Sequence, residues 1–138
     1  MVTLLAGPAR RRVLLAGLLV AAVVLIFQAG EVWFASYLIG SGNPERMERG
    51  AALLPGDAES WDRLGRYYLL SFVDPDPSRG IANYQKAVRL DPLSARYWMD
   101  LASAYESVGD NANARDAYER ARQVYPTSAE VAWNYGNF

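Results

Sequence analysis

Residues able to do chemistry are scarce in this chain. Its 138 residues include no histidine and no cysteine, which removes the commonest general base, thiol nucleophiles, disulfides and zinc sites of the usual ligand types. One carboxylate pair, Asp74 with Asp76, invites an acid/base role. Both stand in the proline-rich stretch "SFVDPDPSRG", with no base, nucleophile or glycine-rich phosphate loop beside them. The expectation is therefore no enzyme, no catalytic or metal-binding residues and no cofactor. What remains is work by contact. From Asn43 onward there are 11 basic and 14 acidic residues, a balance unsuited to neutralising phosphates, so nucleic acid is not an expected partner.

Contact residues must be carried by elements, and the first element is apolar. After Arg10, Arg11 and Arg12 comes "VLLAGLLVAAVVLIF", Val13 to Phe27, without a polar side chain. Those fifteen residues would reach only ~22 Å as a helix, short of a ~30 Å hydrocarbon core. The span is therefore expected to run on through Gln28 and Glu31 to about Phe34. Trp33, Phe34 and Tyr37 then fall where an interfacial aromatic belt lies, and the arginines ahead of the span place the N-terminus in the cytoplasm. The rest of the chain would lie outside, in the periplasm if the cell is bacterial. Gly17 and Ala21 form a small-xxx-small pair that would let another helix approach closely, unless they are plain lipid-facing positions. A basic start also suits a cleaved signal peptide, although no Ala-x-Ala site comes after the long apolar run.

"SGNP", Ser41 to Pro44, is a breaker cluster. Beyond it the apolar residues recur at helical spacing and never alternate as a strand requires. Three phrases repeat: "PGDAESWDRLGRYY" from Pro55, "PLSARYWMDLASAY" from Pro92 and "PTSAEVAWNYGNF" from Pro126. The first two align Trp61, Leu64, Gly65 and Tyr68 with Trp98, Leu101, Ala102 and Tyr105; in the third, Tyr135 and Gly136 keep register while Trp133 comes one place late. Each of the first two phrases leads into a second helix, with Gly80, Tyr84, Ala87 and Pro92 spaced identically to Ala114, Tyr118, Ala121 and Pro126. Small residues permit close helix approach and aromatics fill the gaps beside them. Asp57, Ser94 and Ser128 stand at N-cap positions, and Asp76 before Pro77 starts a helix of its own.

This pattern resembles the tetratricopeptide repeat, a 34-residue pair of helices carrying Trp, Leu-Gly and Tyr on the first and Ala, Tyr, Ala and Pro on the second. The resemblance covers about 43–138. Together with the apolar span read ahead of it, it gives an expected all-α fold: one N-terminal transmembrane helix, then an α-solenoid of antiparallel hairpins. The expected organisation is a cytoplasmic basic segment at 1–12, the transmembrane helix and aromatic segment at 13–40, and a linker with a capping half-repeat at 41–57. Repeats at 58–94 and 95–128 and an incomplete third at 129–138 complete it. The step from Pro55 to Pro92 is three residues longer than that from Pro92 to Pro126, and the excess lies in "SFVDPDPSRG".

The resemblance also implies a concave groove lined by first helices, where such proteins hold a peptide or helix. By repeat position the groove shows Glu59, Asp62, Arg66 and Leu69, then Arg96, Met99, Ser103 and Glu106, then Glu130, Trp133 and Asn137. Arg66, Leu69, Arg96, Met99, Trp133 and Asn137 are the candidate partner-binding residues. The Lys and Asn of the chaperone-type carboxylate clamp are not matched, because Asp62 and Arg66 stand in their places. Two functions are expected. One is a membrane-anchored scaffold for another protein; the other is a small structural subunit of a larger membrane complex, held by its span and by an open C-terminal repeat, or self-associating there.

Overall fold

A computed structural model describes residues 8–73 and 75–138; the first seven residues of the basic N-terminus, and Asp74 of the carboxylate pair, lie outside them. The described residues form seven helices and no strand: α1 Pro8–Ile39, α2 Pro44–Leu53, α3 Ala58–Leu70, α4 Pro77–Leu90, α5 Ala95–Ser107, α6 Asn111–Val124 and α7 Ala129–Asn137. They divide into two units, the first ending at Phe34 and the second running Ala35–Phe138.

The first unit is most of α1. Leucine, valine and alanine propagate the helix without an internal proline, and the side chains from Arg11 to Phe34 are all exposed. The stretch Arg11–Ile39 is long and apolar enough to cross a membrane, with a mean hydropathy of 2.6.

The second unit begins with the last turn of the same helix. Ala35 and Ile39 are buried because α2 lies against them: a Cβ placed on Gly50 would come within 2.8 Å of both the Ala35 carbonyl and Ile39 Cγ1. Gly42 turns the chain with φ +68°, a conformation open mainly to glycine. Asn43 then caps α2 by accepting from Arg46 N–H at 3.1 Å, and Pro44 supplies the first helical residue.

Two hairpins come next, α3 with α4 and α5 with α6, and α7 packs on α6. Asp57, Asp76, Asp110 and Ser128 cap their helices through side-chain oxygens. Ser94 occupies the N-cap of α5 without a side-chain bond. The small positions of the repeat, Gly65, Gly80, Ala87, Ala102, Ala114 and Ala121, are all buried. At the first hairpin their smallness is required: a Cβ on Gly65 would sit 3.0 Å from the Tyr84 ring and 3.1 Å from the Gly80 carbonyl. Tyr68, Tyr84 and Tyr118 fill the core, while Trp98 and Tyr105 pack against its edge.

The fixed spacing of proline and tryptophan has a hydrogen-bonding cause. Trp61 Nε1 donates to the Pro55 carbonyl at 3.1 Å, and Trp98 Nε1 donates to the Pro92 carbonyl at 2.9 Å. Each bond spans six residues and ties the start of a first helix to the turn before it. Trp133, seven residues after Pro126 and out of step with this spacing, is 71% exposed.

The longer step between the first two repeats resides in the connection between α3 and α4. That loop has six residues, 71–76, against three, 108–110, between α5 and α6. Its base is closed by Asp76, whose N–H donates to the Tyr68 carbonyl at 2.9 Å.

Candidate protein-interaction surface

The first helices α3, α5 and α7 are neighbours in space, so side chains one repeat apart meet. Asp62 is fully buried. Its Oδ2 accepts from Arg66 Nη2 at 3.2 Å on its own helix and from Arg96 Nη1 at 3.0 Å on the next. Arg66 also reaches Asp100 at 3.4 Å, and Arg96 pairs with Glu59. Tyr97, buried on α5, donates to Glu59 at 3.3 Å. The result is an alternating cluster of carboxylates and guanidinium groups joining α3 to α5.

Burial and the nearby Asp100 charge push the Asp62 carboxyl up to about 7, more than Arg96 and Arg66 pull it down. Its second oxygen, Oδ1, is buried without a hydrogen-bond partner, which adds to the cost of holding the carboxylate charge there. For Glu59 burial works upward too, but the bonds and charges of Arg63 and Arg96 prevail and hold it below its usual range.

The corresponding place on α5 is Met99, which is half-buried; its Sδ receives Asn134 Nδ2 of α7 at 3.6 Å. On α7 the same place is Trp133, exposed. Cover at this position comes from the first helix of the next repeat, α5 for Asp62 and α7 for Met99.

The six residues expected to bind a partner are therefore placed differently. Arg66 and Arg96 are brought together and remain about half-exposed, although each already serves an internal carboxylate. Met99 is adjacent to them on α5, and Asn137 is exposed on α7. Leu69 turns toward α4, its Cβ 3.4 Å from where a Gly80 Cβ would lie, and packs on the core. Trp33, Phe34 and Tyr37 are exposed on α1. A Cβ on Gly17 would have no neighbour within 4 Å, and Ala21 is exposed. Sequence reasoning missed the burial of Asp62 and Tyr97. The only signal was the set of acids Glu59, Asp62 and Asp100 and bases Arg66 and Arg96 at spacings near one turn or one repeat.

Residues 95–138 match the profile of the tetratricopeptide repeat. The α5–α6 hairpin and α7 thus have the sequence of tetratricopeptide repeats. Two crystal structures of MamA superpose with TM-scores of 0.62 and 0.61, each at 24% identity over 72% of this chain, covering 57% and 54% of theirs; at that identity the likeness concerns the fold. Human general transcription factor 3C polypeptide 3 is 36% identical over 70 residues, 51% of this chain. The chain spans only 8% of that relative's length. Tetratricopeptide repeats are protein–protein interaction scaffolds.

Proposed function

We propose that this protein is a non-catalytic, membrane-anchored scaffold that holds another protein along the α3–α5–α7 face, on the extracytoplasmic side. The observation that carries the proposal is the meeting of side chains one repeat apart, Asp62 with Arg96 and Met99 with Asn134, because it makes the three first helices one continuous surface. The partner would meet Met99, Ser103, Glu106 and Asn137, with the outer edges of Arg66 and Arg96 beside them. A helix or extended peptide of mixed charge fits such a face.

The anchor is supported by the length and hydropathy of α1 and by the arginines that precede the apolar stretch. Positive charge before a first span favours a cytoplasmic N-terminus, leaving the repeats on the far side. Lack of cysteine makes this testable by single-site labelling. A photo-crosslinker attached to Ser103→Cys or Asn137→Cys in native membranes is expected to trap one protein, and the same reagent at Arg89→Cys or Gln123→Cys on second helices to trap none. Equal trapping at all four sites, or none at the first two, refutes the groove. Release of the chain by alkaline carbonate refutes the anchor. Failure of an impermeant thiol reagent to label Ser103→Cys in intact cells refutes the orientation.

A further inference from the structure

In the two complete hairpins α4 packs on α3 and α6 on α5, and the small residues at the crossing, Gly65 and Ala102, are buried. The fit is close. A Cβ on Gly65 would sit 3.0 Å from the Tyr84 ring and 3.1 Å from the Gly80 carbonyl. Gly136 holds the corresponding place on α7, yet it is exposed, and a Cβ there would meet no atom within 4 Å. Ala132, at the place of the buried Trp61, is exposed as well.

The other side of α7 is occupied, which fixes the rotation of the helix. Val131 is buried, Asn134 donates to Met99 of α5 at 3.6 Å, and Tyr135 donates to Glu119 of α6 at 3.2 Å. The Tyr118 ring lies 6.3 Å from that of Tyr135 and 5.5 Å from that of Phe138. Ala129, Ala132, Trp133 and Gly136 are thereby turned outward, all exposed and none charged. Their spacing of i, i+3, i+4 and i+7 makes them one face.

The complete hairpins show what covers such a face. Their second helices carry a small residue, an aromatic four places on and an alanine three further: Gly80, Tyr84 and Ala87 in α4, and Ala114, Tyr118 and Ala121 in α6, all buried. The small residue lets the backbones approach, and the tyrosine fills the space beside the glycine or alanine of the first helix. At Gly136 that space is open among the described residues.

We infer that the Ala132–Gly136 face of α7 is a docking surface distinct from the groove, and that it takes one amphipathic helix from a partner protein. That helix bears a small residue, an aromatic four places later and an alanine or glycine three after that. It lies on α7 as α4 lies on α3, completing a third hairpin with a helix from another chain. Docking of a helix through anchors one and two turns apart is a common mode of recognition. The inference rests on the scaffold proposed above only for the source of the helix; the membrane anchor and the groove do not enter it.

The test uses a fluorescent peptide of residues 110–126, the α6 sequence with its cap and following proline, added to the full chain in detergent and followed by anisotropy. A hydrocarbon staple on its solvent side holds the helix, since a free peptide of this length is marginally helical. Saturable binding is expected, weakened about tenfold or more by Tyr118→Ala in the peptide or by Gly136→Leu in the chain. Gly136→Leu stands at an exposed helical site, so the melting temperature should not fall and the loss is not one of folding. No binding by the parent, or undiminished binding with either substitution, overturns the docking surface. In native membranes, a photo-crosslinker at Ala132→Cys is expected to join a different protein through a segment with the small–aromatic–small spacing. An adduct within the chain, with a second copy or with a segment lacking that spacing, or no adduct, overturns the partner helix. Ser103→Cys reads the groove separately: trapping there without peptide binding removes this inference and leaves the proposed function, and peptide binding without trapping there does the reverse.

Discussion

Arg96 reaches back one repeat to place a guanidinium nitrogen 3.0 Å from Asp62, a fully buried carboxyl on the preceding first helix. The contact joins the first helices of two successive hairpins, and through it the pH dependence of stability turns on the Asp62 carboxyl.

Stability should fall as pH rises from 5 to 8. Burial and the Asp100 charge raise Asp62 from 3.8 to about 7 in the folded chain. The folded state therefore holds a proton that the unfolded state gives up more readily. The stabilisation is complete below the ordinary carboxylate value and disappears as pH passes through about 7. One such proton sets a slope of at most about 1.4 kcal/mol per pH unit. No histidine is present to titrate in that window. Urea unfolding of the full chain in detergent, monitored by circular dichroism, should show the midpoint falling, and Asp62→Asn should flatten the profile.

Arg96→Gln should cost about 1–3 kcal/mol at pH 8, the worth of a hydrogen bond to a charged group. The loss should shrink at pH 5, where Asp62 is protonated. The same unfolding measurement at the two pH values decides it; equal losses would mean that Arg96 acts through its pair with Glu59 or through the Tyr97 ring, whose centre lies 4.6 Å away, and not through Asp62.

Gly50→Ala should destabilise the end of the stack next to α1. The added methyl would lie 2.8 Å from the Ala35 carbonyl, and overpacking outweighs the gain in helix propensity by about 1–2 kcal/mol. Gly56, with no atom within 4 Å of its would-be Cβ, is the control whose change to alanine should not lower the melting temperature.

Trp98→Phe removes the bond from the indole to the Pro92 carbonyl and should cost about 0.5–1.5 kcal/mol. Trp133→Phe, at an exposed site, should change stability by less than about 0.5 kcal/mol. Thermal unfolding of the two variants side by side tests whether the six-residue Pro-to-Trp spacing carries a structural bond.

Much of this architecture is written locally. Helix starts were legible in Asp57, Asp76 and Ser128, whose side chains accept from their own first turns. The turn glycine Gly109 adopts φ +76°, and every small position of the two repeats is buried. These features depend on backbone groups within a few residues, or on a period that fixes which positions face inward, so residue type and spacing suffice to read them.

Other features depend on neighbours far along the chain. Asp62 reads as a groove residue on its own helix, yet α5 covers it and supplies Arg96 as its partner; Met99 is half-covered by α7, and Trp133 lies open. Burial at this position is conferred by the next repeat and cannot be read from the helix that bears it. Likewise α1 is one apolar run in sequence, and only its packing against Gly50 separates a last turn that belongs to the repeats from the stretch before it. Residue type and spacing are enough to set the helices, their period and the absence of histidine and cysteine chemistry, because these are local or compositional. Which polar groups are buried, and which apolar ones are left facing outward at Phe72 and Val73, was decided by the tertiary structure, since exposure is a property of what lies against a residue.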